Sequence, residues 1–119
     1  MINFIDVFSG AGGLSEGFIR AGYNPLAHVE IDKDACDTLR TRSAYHFLKA
    51  HKKIDIYNNY LLNKIGREEL WQSIPEHVLN SVINKEISKD SLSVIFKRID
   101  DSLMGREVDL IIGGPPCQA

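Results

Sequence analysis

The stretch DVFSGAGGLSEGF, residues 6–18, decides the fold of this chain. An apolar run leads into it, glycines fill its centre, and a segment with helical spacing of apolar residues follows. That order predicts a strand, a tight turn and a helix, the first unit of an α/β nucleotide-binding fold. Gly10, Gly12 and Gly13 suit the turn, since glycine reaches backbone angles closed to other residues and lets a ligand approach the main chain.

The glycine pattern alone does not identify the ligand. The dinucleotide fingerprint has a third glycine where this chain has Ser15, and turns use glycine for their geometry alone. A second signal is GGPPCQ, residues 113–118, which follows the apolar run 108–112. That run predicts another buried strand. Because prolines fix the backbone after it, Cys117 is expected on a rigid loop at the carboxyl end of this strand.

Together the two stretches resemble the cytosine-5 DNA methyltransferases. The first resembles the cofactor-binding motif of that family, and the second resembles its catalytic cysteine loop. The resemblance implies an α/β fold of the Rossmann-like, S-adenosylmethionine-dependent methyltransferase type, with a mostly parallel sheet and flanking helices. The 119 residues are expected to be the N-terminal portion of such a catalytic domain.

A carboxylate stands at the end of the second predicted strand, residues 25–31. In α/β nucleotide folds an acid at this place accepts hydrogen bonds from the ribose hydroxyls. The resemblance makes Glu30 the ribose-binding acid and places Ile31 against the adenine. The alternative is that Glu30 is only an acid at the start of the next helix, but Asp32 suits that capping role better. Within this helix, Cys36 is interpreted as a small buried apolar residue.

The resemblance implies S-adenosylmethionine as the cofactor. It also implies contacts from three segments, each just beyond the carboxyl end of a predicted strand. Such ends share one edge of a parallel sheet, so a single site beside Cys117 is expected. The cofactor-binding residues are predicted to be Phe8, Ser9, Gly10, Gly12, Gly13, Leu14, Glu30, Ile31 and Pro116. Asp6, which interrupts the first strand, is either a cap for the turn or a contact near the amino-acid end of the cofactor.

The reaction that the resemblance implies uses Cys117 as the catalytic residue. Its thiolate attacks carbon 6 of a cytosine flipped out of double-stranded DNA, and the methyl group of the cofactor goes to carbon 5. Since a free thiol is mostly protonated at neutral pH, Cys117 needs activation. The expected partners are DNA and a restriction endonuclease system.

The middle of the chain departs from the family pattern. Residues 54–61 predict a third strand, after which the family has an acid that hydrogen-bonds the adenine amino group. Tyr60 stands there, and Asn58, Asn59 or Asp55 are alternatives. Residues 66–105 predict a helical insertion or a long crossover, with helices around 79–83 and 92–103.

The first helix is predicted to turn Leu14, Phe18 and Ala21 towards the core. Gly17 would mark close packing on the sheet. Glu16 and Arg20 would form a solvated pair on the opposite side of the helix.

Composition narrows the class of protein. The net charge of −2, from 14 basic and 16 acidic residues, lacks the basic excess of a whole nucleic-acid-binding domain. Any phosphate-binding surface is therefore local or lies outside these residues. No run is apolar enough to span a membrane and no signal peptide precedes the first strand, so a cytoplasmic location is expected. Two distant cysteines and scattered histidines predict no metal site.

Two other functions stay open. A nicotinamide-dependent oxidoreductase would suit the glycine turn and Glu30, but it leaves GGPPCQ unexplained. A non-catalytic remnant that binds a nucleotide or another chain is the second, because motifs that follow the cysteine loop in the family are absent. We therefore expect a fragment, a truncated product or one part of a split enzyme, inactive alone.

Overall fold

The structure, a computed structural model, describes residues 1–115. Its centre is a sheet of four strands, β1 (Asn3–Asp6), β2 (Asn24–Glu30), β3 (Val82–Asn84) and β4 (Leu110–Ile112). Their order across the sheet is β3-β2-β1-β4, and every neighbouring pair is parallel. The predicted α/β class, with a parallel sheet and flanking helices, is confirmed.

Six helices join these strands in the described part of the chain. Helix α1 links β1 to β2, α2 to α5 lie between β2 and β3, and α6 links β3 to β4. Right-handed crossovers place α6 on the opposite face of the sheet from α1 and α2, because the path from β3 to β4 runs back across the sheet. The helices are α1 (Gly13–Arg20), α2 (Lys33–Ala50), α3 (Ile54–Leu61), α4 (Arg67–Gln72), α5 (Glu76–Asn80) and α6 (Leu92–Leu103).

Apolar side chains cover both faces of the sheet. Ile5 and Val29 on one face belong to the same buried cluster as Ile95 and Ile99 of α6, and the helix predicted around residues 92–103 is confirmed. On the other face Cys36 packs with Leu39 and Val82 and is fully buried, as predicted. The strands near the site are therefore fixed from both sides.

The prediction of a third strand at residues 54–61 is wrong, because this segment is helix α3. Tyr57 is buried in a second apolar cluster, and Ile54 and Tyr60, three residues away on either side, pack against the same cluster. That spacing is helical. Ile54, Asp55 and Ile56 alternate as in a strand, but this run is too short to distinguish a strand from a helix.

The third strand is instead β3, inside the segment predicted to be helical. Val82 and Ile83 are β-branched, which favours strands. They point to opposite faces of the sheet, Val82 into the cluster with Cys36 and Ile83 into the cluster with α6. A strand of three residues buried on both faces carries no alternating pattern, so the sequence offered no period to detect.

Helix α1 also differs from its prediction. Leu14 is 48% exposed, whereas Ser15 is buried. A side chain at Gly17 would meet open space, so this glycine does not mark close packing. Phe18 does face inward, with its ring 5.7 Å from that of Phe4. Ala21 is exposed.

None of the helices within residues 1–115 combines the length and apolar character needed to cross a membrane.

Candidate functional site

The turn between β1 and α1 requires glycine at two positions. Gly10 and Gly12 have φ angles of 55° and 95°, which side chains rarely adopt. A Cβ atom at Gly12 would also lie 2.8 Å from Cδ2 of Leu39 on α2. The turn is thus tight and presses directly on the neighbouring helix.

Ser9 holds this turn together from within. Its hydroxyl donates to the Asp6 carbonyl at 3.0 Å, and its N–H donates to the Val29 carbonyl at 3.2 Å. Its carbonyl accepts from the Gly12 N–H at 3.0 Å. All its polar groups are used inside the protein, so Ser9 orders the turn.

Asp6 ends β1 beneath the turn and is fully buried. One carboxylate oxygen, Oδ1, accepts from the Phe8 N–H at 3.3 Å, whereas Oδ2 has no hydrogen-bond partner within residues 1–115. Burial raises the pKa of Asp6, and the nearby charge of Glu30 adds to that effect. Buried carboxylate oxygens are normally hydrogen-bonded, so Oδ2 of Asp6 is expected to accept from a donor that is not among these residues.

The Glu30 carboxylate joins the end of β2 to the turn. Its Oε1 atom accepts from the Gly10 N–H and its Oε2 atom from the Asp32 N–H, each at 2.8 Å. Each carboxylate oxygen has a further lone pair, so both can still accept from a ligand. Asp32 caps α2 by accepting from the Asp34 N–H at 2.9 Å, which confirms its predicted role.

The loop after β4 meets the turn after β1. The Val7 N–H donates to the Ile112 carbonyl at 3.0 Å. A Cβ atom at Gly113 would lie 3.1 Å from Cγ2 of Val7 and 3.3 Å from Cδ2 of Phe8, so a side chain there would crowd both residues. The first residue of GGPPCQ therefore lies beside the turn that carries the predicted cofactor-binding residue Phe8. Pro116 and Cys117 lie outside the described residues.

Three exposed apolar side chains belong to the segments around Glu30. Phe8 is 38% exposed, Leu14 48% and Ile31 60%. The first amides of α1 have no side-chain cap, because Gly12 occupies the N-cap position. The structure thus joins Gly10 to Glu30 by a hydrogen bond, and it places Phe8 in the same turn as Gly10, Leu14 at the start of α1 and Ile31 directly after β2.

Sequence reasoning missed the acid that follows the true third strand. Glu86 comes two residues after the end of β3 and is exposed. Tyr60, Asn58, Asn59 and Asp55 all lie on α3, and Tyr60 packs in the helical cluster there, so none of them follows a strand. The signal for Glu86 was the β-branched pair before it.

Ser15 stands where the dinucleotide fingerprint has its third glycine. Its hydroxyl lies 2.7 Å from Nε2 of His28 on β2, and both side chains are buried. Burial, reinforced by the charge of His46, lowers the pKa of His28 to about 4, so the imidazole is neutral near pH 7. Here a hydrogen bond joins helix to strand where the fingerprint uses close backbone packing.

A groove of about 1090 Å³ runs beside the turn, between α1 and α2. Glu16 bridges it by pairing with Arg42, and its carboxylate lies 3.0 Å from Nε2 of His46. Burial opposes the charge of Glu16, but these hydrogen bonds outweigh burial and lower its pKa. Arg20, the predicted partner, is a more distant third contact at 4.0 Å.

Across residues 1–115, no group of three or more His, Cys, Asp or Glu side chains could hold a metal ion.

A family model described as C-5 cytosine-specific DNA methylase matches residues 2–75. The chain is 38% identical to type II methyltransferase M.Bpa9945I of Bacillus paralicheniformis, over 97% of the chain and 30% of that protein. It is 32% identical to type II methyltransferase M1.HphI of Haemophilus parahaemolyticus, over 98% of the chain and 21% of that protein. No solved structure matches the chain. The chain therefore spans less than a third of the length of these two relatives.

Proposed function

The chain belongs to the C-5 cytosine-specific DNA methylase family, and on this premise we propose that it is the part of a DNA (cytosine-5-)-methyltransferase that binds S-adenosylmethionine and carries the catalytic cysteine. One observation carries this proposal. The Glu30 carboxylate is held by the Gly10 N–H at the carboxyl edge of the sheet, with lone pairs left for a ligand.

The residues at this edge suit both ends of S-adenosylmethionine. Glu30 would accept from the ribose hydroxyls, and the exposed apolar side chains of Ile31 and Phe8 would contact the base. The amino-acid end carries both a carboxylate and an ammonium group. The uncapped amides of α1 suit the carboxylate, and the unsatisfied oxygen of Asp6 suits a donor from the ammonium group or from water that it holds.

Glu86 is our candidate for the adenine contact. It replaces the earlier candidates on α3, because it is the acid that follows β3. A carboxylate there can accept a hydrogen bond from the adenine amino group.

Cys117 would act as the nucleophile. Its thiolate would attack carbon 6 of a cytosine in DNA, which makes carbon 5 nucleophilic, and release of the carbon 5 proton would let the thiolate leave. When bound, S-adenosylmethionine supplies the methyl group. The hydrogen bond from the Val7 N–H to the Ile112 carbonyl supports this arrangement, because it holds the end of β4, just before GGPPCQ, next to the proposed cofactor site.

The full reaction would need residues beyond this chain, which spans less than a third of these relatives. We therefore expect no transfer of labelled methyl groups from S-adenosylmethionine to DNA by the 119 residues alone. The relatives are named type II methyltransferases, so a restriction endonuclease of matching DNA specificity is the partner we propose. Because the substrate is DNA, we propose a cytoplasmic location.

Calorimetric titration with S-adenosylmethionine, with NAD as the competing ligand, tests the cofactor site. We expect binding of S-adenosylmethionine alone, and Glu30→Gln should weaken it at least tenfold. Glutamine at position 30 would place its NH₂ group against the N–H of Gly10 or Asp32, because each of these groups donates to one oxygen of Glu30. Glu69→Gln, on the exposed side of α4, is the matched control. Binding of NAD instead would favour the oxidoreductase.

A further inference from the structure

We propose that Asn84 is a positioning residue for the nucleoside end of the cofactor, which it serves by holding Glu30 and Ile31 in place from the neighbouring strand. This inference rests on the proposed function. Asn84 is the last residue of β3 and is the register partner of Glu30 on β2.

The side-chain amide of Asn84 reaches two successive carbonyls of β2. Its Nδ2 atom donates to the Glu30 carbonyl at 3.1 Å and to the Ile31 carbonyl at 2.8 Å. The Glu30 carbonyl also accepts from the Lys85 N–H at 3.1 Å and from the Cys36 thiol at 3.4 Å. The main chain of the proposed ribose-binding acid is therefore fixed by three groups at once.

Backbone pairing within the sheet could not supply the hydrogen bond to the Ile31 carbonyl. After Ile31 the chain turns into the N-cap of α2, so β2 has no further residue for the ladder with β3. A primary amide carries two N–H donors on one nitrogen, which matches two neighbouring carbonyls. Aspartate in the same place would face these carbonyls with acceptors only.

The two ends of Glu30 are held by different parts of the fold. Its main chain is tied to β3 through Asn84, and its carboxylate is tied to the turn after β1 through the Gly10 N–H. Because the carboxylate must meet two ribose hydroxyls together, a small shift of the main chain would misalign both bonds. Asn84 thus acts on the ligand only through Glu30 and Ile31.

The test compares Asn84→Ala and Asn84→Asp with Asn58→Ala, an exposed asparagine on α3, in the 119-residue chain. S-adenosylhomocysteine and its analogue without the 2′ and 3′ hydroxyls are titrated against each. Asn84→Ala should weaken S-adenosylhomocysteine about tenfold and Asn84→Asp more. The analogue should lose less affinity than S-adenosylhomocysteine does, because the ribose bonds are absent and only the contact of Ile31 with the base can be disturbed. Equal losses for both ligands would overturn the inference.

A second measurement does not need a ligand. Amide hydrogen exchange at Gly10 and Asp32 should be faster in Asn84→Ala than in wild type, since their acceptor moves, and unchanged in Asn58→Ala. Unchanged exchange in Asn84→Ala overturns the inference. If Asn84→Ala does not fold, Asn84→Ser, which keeps one donor, is measured instead and should show the same change. Failure of wild type to bind S-adenosylhomocysteine would count against the proposed cofactor site, whereas the exchange data still decide the role of Asn84.

Discussion

At the residue scale, Gly12 is the position most sensitive to a single added carbon. Its φ of 95° disfavours any side chain, and an added Cβ atom would lie 2.8 Å from the side chain of Leu39, which is 2% exposed. We expect Gly12→Ala to lower the free energy of unfolding by at least about 1 kcal/mol in urea titrations. Gly66→Ala is the control, because Gly66 has ordinary backbone angles and open space around it. Equal losses in the two variants would contradict this account.

His28 makes stability depend on pH in a direction set by its burial. Its pKa is about 4 in the folded chain and near 6.5 when unfolded, so the unfolded state binds the extra proton first as pH falls. The contribution of the neutral His28 imidazole to the free energy of unfolding is fully present above pH 6.5. It is lost as the pH falls from 6.5 to 4, by about 3 kcal/mol in total.

A variant isolates this effect of His28. His28→Gln should show a shallower loss of unfolding free energy than wild type between pH 7 and 4.5. His51→Gln, at an exposed histidine, should follow wild type. Parallel pH curves for His28→Gln and wild type would mean that the imidazole does not titrate with folding.

Local sequence was enough to predict some of these residues and not others. Glycine in the turn and Glu30 after β2 could be predicted, because each role depends on near neighbours and a strand end. The Ser15–His28 bond could not, since it joins two elements whose spacing only the folded helix decides. Asn84 was missed for the same reason, because its role appears only once β3 is paired with β2.

At the element scale, the predictions succeeded for α2, α6 and the strands before and after the helical region. They failed for α3 and β3. In α3 the helical spacing of Ile54, Tyr57 and Tyr60 competed with a short strand-like alternation, and packing of Tyr57 against α2 and α4 decides between the two. In β3, burial on both faces removed the alternation by which strands are recognised.

The pairing of Glu16 with α2 is an element-scale prediction. Because α1 packs on β2 and not closely on α2, the contacts to Arg42 and His46 are its main link to that helix. Glu16→Gln should lower the unfolding free energy by about 1 kcal/mol, and less in high salt. The exposed pair Lys97–Asp101 supplies the control, Asp101→Asn, which should change little. A loss independent of salt would argue against an ionic link.

At the scale of the whole molecule, the sheet has an open side in the part that the structure describes. Within residues 1–115, β4 pairs only with β1, and Ile111 on β4 is 63% exposed. Such an edge favours association. Size-exclusion chromatography at rising concentration should show self-association of the wild-type chain, reduced by Ile111→Lys. Leu62→Lys, at an equally exposed apolar residue away from the sheet, should behave as wild type. A monomer at all concentrations would contradict this.

Charge is also distributed at this scale. Asp37 is 5% exposed and forms salt bridges with Lys33, Arg40 and Arg67. Glu16 forms a salt bridge with Arg42. Basic side chains paired in this way are not free for phosphates. The expectation that any phosphate-binding surface is local or lies outside these residues stays a prediction, and the pairing supports it.

The groove between α1 and α2 means that the two halves of the candidate site are supported differently. Glu30 ends a central strand that is packed on both faces, so it is a fixed reference point. The glycine turn leads into a short helix with open space along one side, spanned by side chains alone. That half is open to the groove on its outer side, while Phe18 and the Ser15–His28 bond hold it to the sheet. A ligand seated against both Glu30 and the turn would therefore bridge a part of the fold that is enclosed on both faces and a part that borders open space.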